Sequence, residues 1–136
     1  MAVGTIVDAN VLLDVITEDP VWLDWSLTAL ASAAEEGPLV INPVIYAEVS
    51  VRFSRIEDLE EALPFSDFRR AQIPWEAAFL AAKAYVSYRR AGGVRSAPLP
   101  DFFIGAHAAV EGLHLLTRDG ARYRTYFPSV DLTAPD

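Results

Sequence analysis

The sequence predicts an α/β fold built on a short, mostly parallel central sheet flanked by helices. Three observations lead there. Short apolar or β-branched runs, roughly three to six residues long, alternate with longer stretches of helical period. The joints carry strand-to-helix signals, above all Asp19-Pro20 and Asn42-Pro43, each a capping side chain followed by proline in the first turn. No repeat or low-complexity tract breaks the alternation. The 136 residues suit one compact domain, expected over 1–136, and 52% hydrophobic content provides a sizeable interior.

Taken in order, Val3 to Val7 predicts a first strand ending at Asp8, and Asn10 to Ile16 a short helix. Asp19-Pro20 opens a longer helix that stops near Gly37-Pro38. Leu39 to Ile41 is a second strand, and the helix begun by Pro43 is expected to reach about Ser54. Ile56 to Leu63 reads as an acidic helix closed by Pro64, and Arg70 to Ile73 as a short strand. Pro74 starts an Ala-rich helix to about Ala91, and Gly92 to Pro100 is the clearest loop. A helix from Asp101 to Gly112, a strand from His114 to Thr117 and a last strand over Val130 to Leu132 complete the chain.

Composition excludes several classes. There is no cysteine, hence no disulfide and no thiolate ligand. No apolar run approaches the roughly 18–20 residues that cross a bilayer, and the start lacks a basic signal region, so a cytoplasmic protein is expected. The net charge of −8 opposes a nucleic-acid partner, because phosphates are bound through Lys and Arg. Two facts soften that objection. A site collecting divalent cations is acidic by design, and the positive charge is nearly all arginine, with Lys83 the only lysine.

Four acids stand out. In an open α/β sheet, ligands sit beyond the carboxyl ends of the strands. Asp8 lies at such an end, and Asp119 two residues past the strand that closes near Thr117. Either alone is also an ordinary strand terminator; two on one edge carry more weight. At about 100° per residue, Glu48 falls between Ile45 on one flank and Val44 and Val51 on the other, where a charge is costly. A pair with Arg52 at i+4 and a metal ion account for it equally well. Asp101 sits at a helix start, favoured by the dipole, above a stripe of Gly105, Ala108 and Gly112 that allows close packing. Mg2+ and Mn2+ prefer oxygen ligands, so a carboxylate cluster without an obligatory histidine suits cation-assisted phosphodiester hydrolysis.

These residues resemble a known family. IVDANVLLD, PVIYAEVSVRF, LPDFFIGAHAAVEG and LLTRDGARY are similar to the four acidic motifs of PIN domains, and the length and order resemble VapC-type toxins. The resemblance covers Val3 to about Leu132. It implies a PIN-like three-layer sandwich and a Mg2+- or Mn2+-dependent endoribonuclease acting on RNA, homodimeric and silenced by a VapB-type antitoxin. Carried over by position, Asp8, Glu48, Asp101 and Asp119 are the catalytic acids, with Asp8, Asp101 and Asp119 as metal ligands. Asn10 and Thr117 match assisting polar positions. The tandem Phe102-Phe103 is bulkier than the small residues expected after the third acid.

The remaining candidates read more plainly. Arg118 and Arg122 either hold substrate phosphates or pair with the acids, and simple surface charges account for them equally well. His107 and His114 read as packing or surface residues, Trp22 and Trp25 as core or interface, and Asp14 as solvated. Arg89-Arg90 suits a helix C-terminus. A haloacid-dehalogenase-type phosphatase needs a second Asp where Asn10 stands, and a receiver domain needs a lysine near its last strand. The alternative kept is a catalytically inactive PIN-like scaffold that binds RNA or protein.

Overall fold

The computed structural model describes residues 2–93 and 99–135. Three strand triplets, β1 (Thr5–Val7), β2 (Leu39–Ile41) and β4 (His114–Leu116), form the centre of the sheet. Nearly all of their residues are buried, as strands covered on both faces by helices must be. The edges are β3 (Phe68–Arg70) and β5 (Leu132–Thr133), which are shorter or charged and partly exposed. The order is β3-β2-β1-β4-β5, and every neighbouring pair is parallel. Thr5 lies opposite both Leu39 and His114, and Val7 opposite Leu116. Residues Asn42, Asp8 and Thr117, each one step past its strand, therefore share one edge.

Seven helices complete the described chain: α1 (Ala9–Ile16), α2 (Leu23–Glu36), α3 (Pro43–Ser50), α4 (Ile56–Ala62), α5 (Trp75–Arg90), α6 (Leu99–Glu111) and α7 (Ala121–Tyr126). Right-handed crossovers put the helices between β1, β2 and β3 on one face, and those leading to β4 and β5 on the other. Helix contacts follow this division: α1 packs on α2 and α3, while α6 packs on α5 and α7. The two groups meet where α3 touches α6. That contact brings the helix carrying Glu48 to the one carrying Asp101. Among the described residues no helix is long and apolar enough to cross a membrane.

Several boundaries differ from expectation, each for a local reason. Asp19 does cap the chain, but its Oδ1 accepts the Val21 and Trp22 N–H groups of a turn, and α2 proper begins at Leu23. Helix α3 stops at Ser50 rather than near Ser54, where the Ser50 hydroxyl bonds back to the Tyr46 carbonyl at 2.6 Å. The strand expected at Arg70 to Ile73 lies at Phe68–Arg70, and the last strand at Leu132–Thr133 instead of Val130 to Leu132. Leu99 and Pro100 belong to α6, so Asp101 is its third residue. The rest of the expected Gly92–Pro100 loop falls largely on 94–98, outside the described residues. Helix α7 has no counterpart in the sequence reading.

The core joins Ile6, Val40 and Leu115 of the sheet to Val11, Ile45, Val49, Phe102 and Ile104 of the helices, all fully buried. Phe102 is thus a core residue, its ring 5.4 to 6.2 Å from those of Tyr88, Tyr126 and Phe127. Phe103 lines a groove beside Glu48. Of the small-residue stripe, Gly105 serves close packing, against the Phe127 ring. Gly112 serves the helix end, with φ of +64°.

A Cβ at Gly105 would fall within contact distance of three Phe127 ring atoms, and that ring is held in the aromatic cluster. Gly105→Ala should destabilise the protein by about 1–3 kcal/mol. Urea unfolding checks this, and Phe127→Leu in the same chain should recover part of the loss.

Candidate active site

The site is built outward from Asp8. Parallel pairing of β1 with β4 sets the Asp8 N–H 2.9 Å from the Leu116 carbonyl, so the residue leaves the sheet in a fixed direction. Its side chain is buried, with 5% of its surface exposed. Two hydroxyls donate to Oδ2: Thr117 at 2.9 Å and Tyr123 at 3.0 Å. Burial pushes the Asp8 carboxyl above its ordinary range, and the bonds from Thr117, Tyr123 and the Ala9 N–H partly offset this. Burial and the nearby carboxylates keep the Tyr123 phenol protonated far above its usual range, so it remains a donor.

Thr117 organises this corner. A hydroxyl offers one donor and two acceptor positions, and here all three are used. It donates to Asp8 and accepts from Asn10 Nδ2 at 3.3 Å and from the Asp119 N–H at 3.1 Å. Asn10 Oδ1 in turn accepts the Arg118 N–H at 3.1 Å. The two assisting polar positions thus tie the start of α1 to the turn that carries Asp119. The Asp119 side chain itself is exposed.

Glu48 and Asp101 come from opposite helix groups. Burial, then the charges of Asp8 and Asp101, push the Glu48 carboxyl up to about 7. Its Oε1 is buried with no hydrogen-bond partner. Arg52 is not its partner: α3 ends at Ser50, so the i+4 geometry is lost and Arg52 is exposed. Burial and the Asp8 charge likewise raise Asp101 to about 6, against the opposing effect of Arg122, whose Nη1 donates to Asp101 Oδ2 at 2.9 Å. Asp119 also raises Asp8 and Asp101. The fold therefore brings Asp8, Glu48 and Asp101 within range of one another's charge, and Asp119 within range of Asp8 and Asp101.

The donor set fits a hard divalent cation: carboxylate oxygens, one of them buried and unpartnered, with Arg122 paired to Asp101 among them. It is not a closed cage. Among the described residues, no three His, Cys, Asp or Glu side chains converge closely enough to hold a metal ion. The hydrogen bonds give a reason. Thr117 and Tyr123 engage Asp8 Oδ2, and Arg122 engages Asp101 Oδ2.

Other residues fall differently from the sequence reading. Asp14 is buried, not solvated. It receives a two-pronged bond from Arg118, Nε to Oδ2 at 2.9 Å and Nη2 to Oδ1 at 3.0 Å, and a third from Ser26. Both arginines flanking Asp119 thus pair with acids, Arg118 also lying over the Trp22 ring. His107 is a packing residue, fully buried. Asn42 Oδ1 caps α3 through the Ile45 N–H, so its Nδ2 faces His107 and donates to Nδ1. The ring proton must then sit on Nε2, and burial keeps the ring neutral. His114, the first residue of β4, pairs with Asp131 at 3.4 Å. Tyr123 is the residue that sequence reasoning missed. A tyrosine four positions after Asp119, on a helix too short to show a period, was the available signal.

A family profile described as the PIN domain matches residues 5–128. Solved structures of similar fold include VapBC2 from Rickettsia felis bound to a promoter DNA fragment. It is 17% identical with a TM-score of 0.75, covering 98% of this chain and 99% of that one. VapBC-1 from nontypeable Haemophilus influenzae is 14% identical, with a TM-score of 0.73 and coverage of 96% and 97%. VapC20 from Mycobacterium tuberculosis, described as a toxin cleaving the sarcin-ricin loop, is 15% identical, with a TM-score of 0.65 and coverage of 93% and 98%. Among curated protein sequences none matches significantly. The profile spans all but the ends of the chain, and the chain belongs to the PIN domain family.

Proposed function

We propose that this protein is a divalent-cation-dependent endoribonuclease, the toxin of a VapBC-type module, held silent by a VapB-type antitoxin. One observation carries the reading: Asp8, Glu48 and Asp101 gather at one sheet edge, where burial and neighbouring carboxylates, Asp119 among them, raise their pKa, with Glu48 Oε1 buried and unpartnered. PIN domains are typically nucleases, and the similar solved structures are toxin–antitoxin complexes or toxins. A homodimer in the cytoplasm is the expected working form.

On this reading Asp8, Asp101 and Asp119 hold Mg2+ or Mn2+, with Glu48 beside them. Such a cation, when bound, polarises a phosphoryl oxygen and lowers the pKa of a water. The chain's own groups do the rest. Thr117 and Tyr123 fix Asp8 Oδ2, so the carboxylate is held in one orientation. Thr117 and Asn10 hold the Asp119 turn in register with Asp8. Glu48, raised to about 7, is suited to take a proton from the attacking water near neutral pH. The products are a 5′-phosphate and a 3′-hydroxyl.

A second reading, an inactive RNA- or protein-binding scaffold, draws on the absence of a converged ligand group among the described residues. Purified protein, freed of any partner and incubated with RNA and Mn2+, separates the two. Cleavage should stop with chelator and fall at least about 100-fold in Asp8→Asn and Asp101→Asn. Cleavage that survives both changes would sink the cation mechanism, and an inert protein under every metal would support the scaffold.

Protons and cations compete for Glu48 and Asp101, raised to about 7 and about 6. Mn2+ affinity and cleavage at limiting Mn2+ should therefore climb as pH rises through that window, then level off above it. Without cations the sign reverses for folding. A raised carboxyl favours its neutral form in the fold, so its stabilisation is full below the unfolded range and is lost as pH rises through the folded value. In chelator, Glu48→Gln should stabilise the protein at pH about 8 by roughly 1–2 kcal/mol, allowing for partial exposure, and little near pH about 4. Thermal melts at both pH values check it, and equal melting temperatures at the higher pH would count against a charged, buried Glu48.

A further inference from the structure

Among the described residues, one cation makes direct contact with the four acids. Arg122, on α7, donates Nη1 to Asp101 Oδ2 at 2.9 Å, and its guanidinium lies over the Tyr88 ring, 5.5 Å from the centroid. Both side chains are mostly buried, with 28% of Arg122 and 22% of Asp101 exposed. Arg118 is engaged elsewhere, on Asp14.

We propose that Arg122 is the resident counter-ion of the acid cluster, and that a divalent cation completes its ligand set by displacing Arg122 from Asp101. This rests on the cation-dependent reading above. A charge-assisted bond directs a carboxylate oxygen at its donor, and Oδ2 so held is turned toward Arg122. Arginine does not leave by losing its proton, so while Asp101 is ionised release comes by competition for its oxygen. The arrangement explains two facts together. The acids feel one another's charge, yet no three of them converge. Arg122 relieves part of that repulsion, as a cation would, and the Tyr88 face stabilises the guanidinium where it sits.

The competing role is a brace between α6 and α7 that steadies Tyr123 next in sequence. The two roles differ in sign. Removing a brace loosens Asp101 and Tyr123 and weakens cation binding. Removing a competitor strengthens it, because a positive charge no longer opposes the incoming one.

Mn2+ binding to the full chain, followed by electron paramagnetic resonance at pH about 8.5, keeps both carboxyls ionised and reads the sign. Arg122→Gln should bind Mn2+ about tenfold more tightly than the unaltered protein, while Arg122→Lys, which keeps the charge, should stay within about twofold. In the unaltered protein, Mg2+ titration should shift the Arg122 guanidinium NMR resonances toward those of a free arginine side chain, a readout independent of any variant's folding. Equal or weaker Mn2+ binding in Arg122→Gln would overturn the exchange. So would unmoved Arg122 resonances while Mg2+ binds. If Asp101→Asn still abolishes binding in that case, the cation reading stands and only the exchange fails. No binding to any form overturns both.

Discussion

Asp8 is an ionisable carboxyl kept in the interior, at the end of the central strand of a fully parallel sheet. Burying a carboxylate without partners costs several kcal/mol, so whatever surrounds it must offer donors. Here two of the donors come from distant parts of the chain, Thr117 just past β4 and Tyr123 on α7, and the third is the adjoining Ala9 N–H at the start of α1. Each fixes an element. β4 must pair with β1 in the register that sets Val7 opposite Leu116, or Thr117 misses Asp8. Helix α7 must fold back over the edge, or the Tyr123 hydroxyl does.

The same demand explains the second layer of bonds. A Thr117 hydroxyl that donates to Asp8 must have its rotor fixed, and acceptance from Asn10 and the Asp119 N–H does that. The turn so anchored is held again from behind by Arg118, whose fork on buried Asp14 ties it to α1. The exposed Asp119 therefore stands on a turn that has little freedom. The core contributes rigidity from below, and Gly105 lets Phe127, at the end of α7, seat against α6. Local geometry, packing and the acid cluster are one problem solved together.

Legibility in the sequence followed how local the cause was. Asp8 and the Asn42-Pro43 start were readable because a strand end and a helix cap are written in adjacent residues. The sheet, with its short buried triplets, was readable for the same reason. The Glu48 environment was half-readable: Ile45 is buried and Val44 partly so, but Val51 is exposed, and Arg52 as a partner depended on a helix that continues past Ser50. The helix stops at Ser50, where the Arg52 and Phe53 N–H groups bond three residues back, to Val49 and Ser50. Asp14 looked solvated because its partner Arg118 lies 104 residues away. Tyr123 was missed because six residues of helix without a capping side chain leave no period to detect. The choice between phosphate contact and acid pairing for Arg118 and Arg122 needed the third dimension.

The energetic cost of the cluster also bears on what it is for. A scaffold gains nothing from acids that repel one another in a half-buried edge. Asn at position 8 would offer an acceptor to Thr117 and Tyr123 without the desolvation, and Gln at 48 would remove a buried charge that nothing pairs. Carboxyl groups whose pKa is raised by burial and by like charges concentrate where chemistry or ligand binding uses them. The net charge of −8 reads in the same light. Arg70, Arg118 and Arg122 are each engaged by a carboxylate, so these three do not form a free basic surface for a polyanion. On the reading proposed, the positive charge at the centre beyond what Arg122 offers is supplied from solution as a divalent cation. Repulsion among four acids is then what draws that cation in, and what makes the protein's approach to RNA conditional on it.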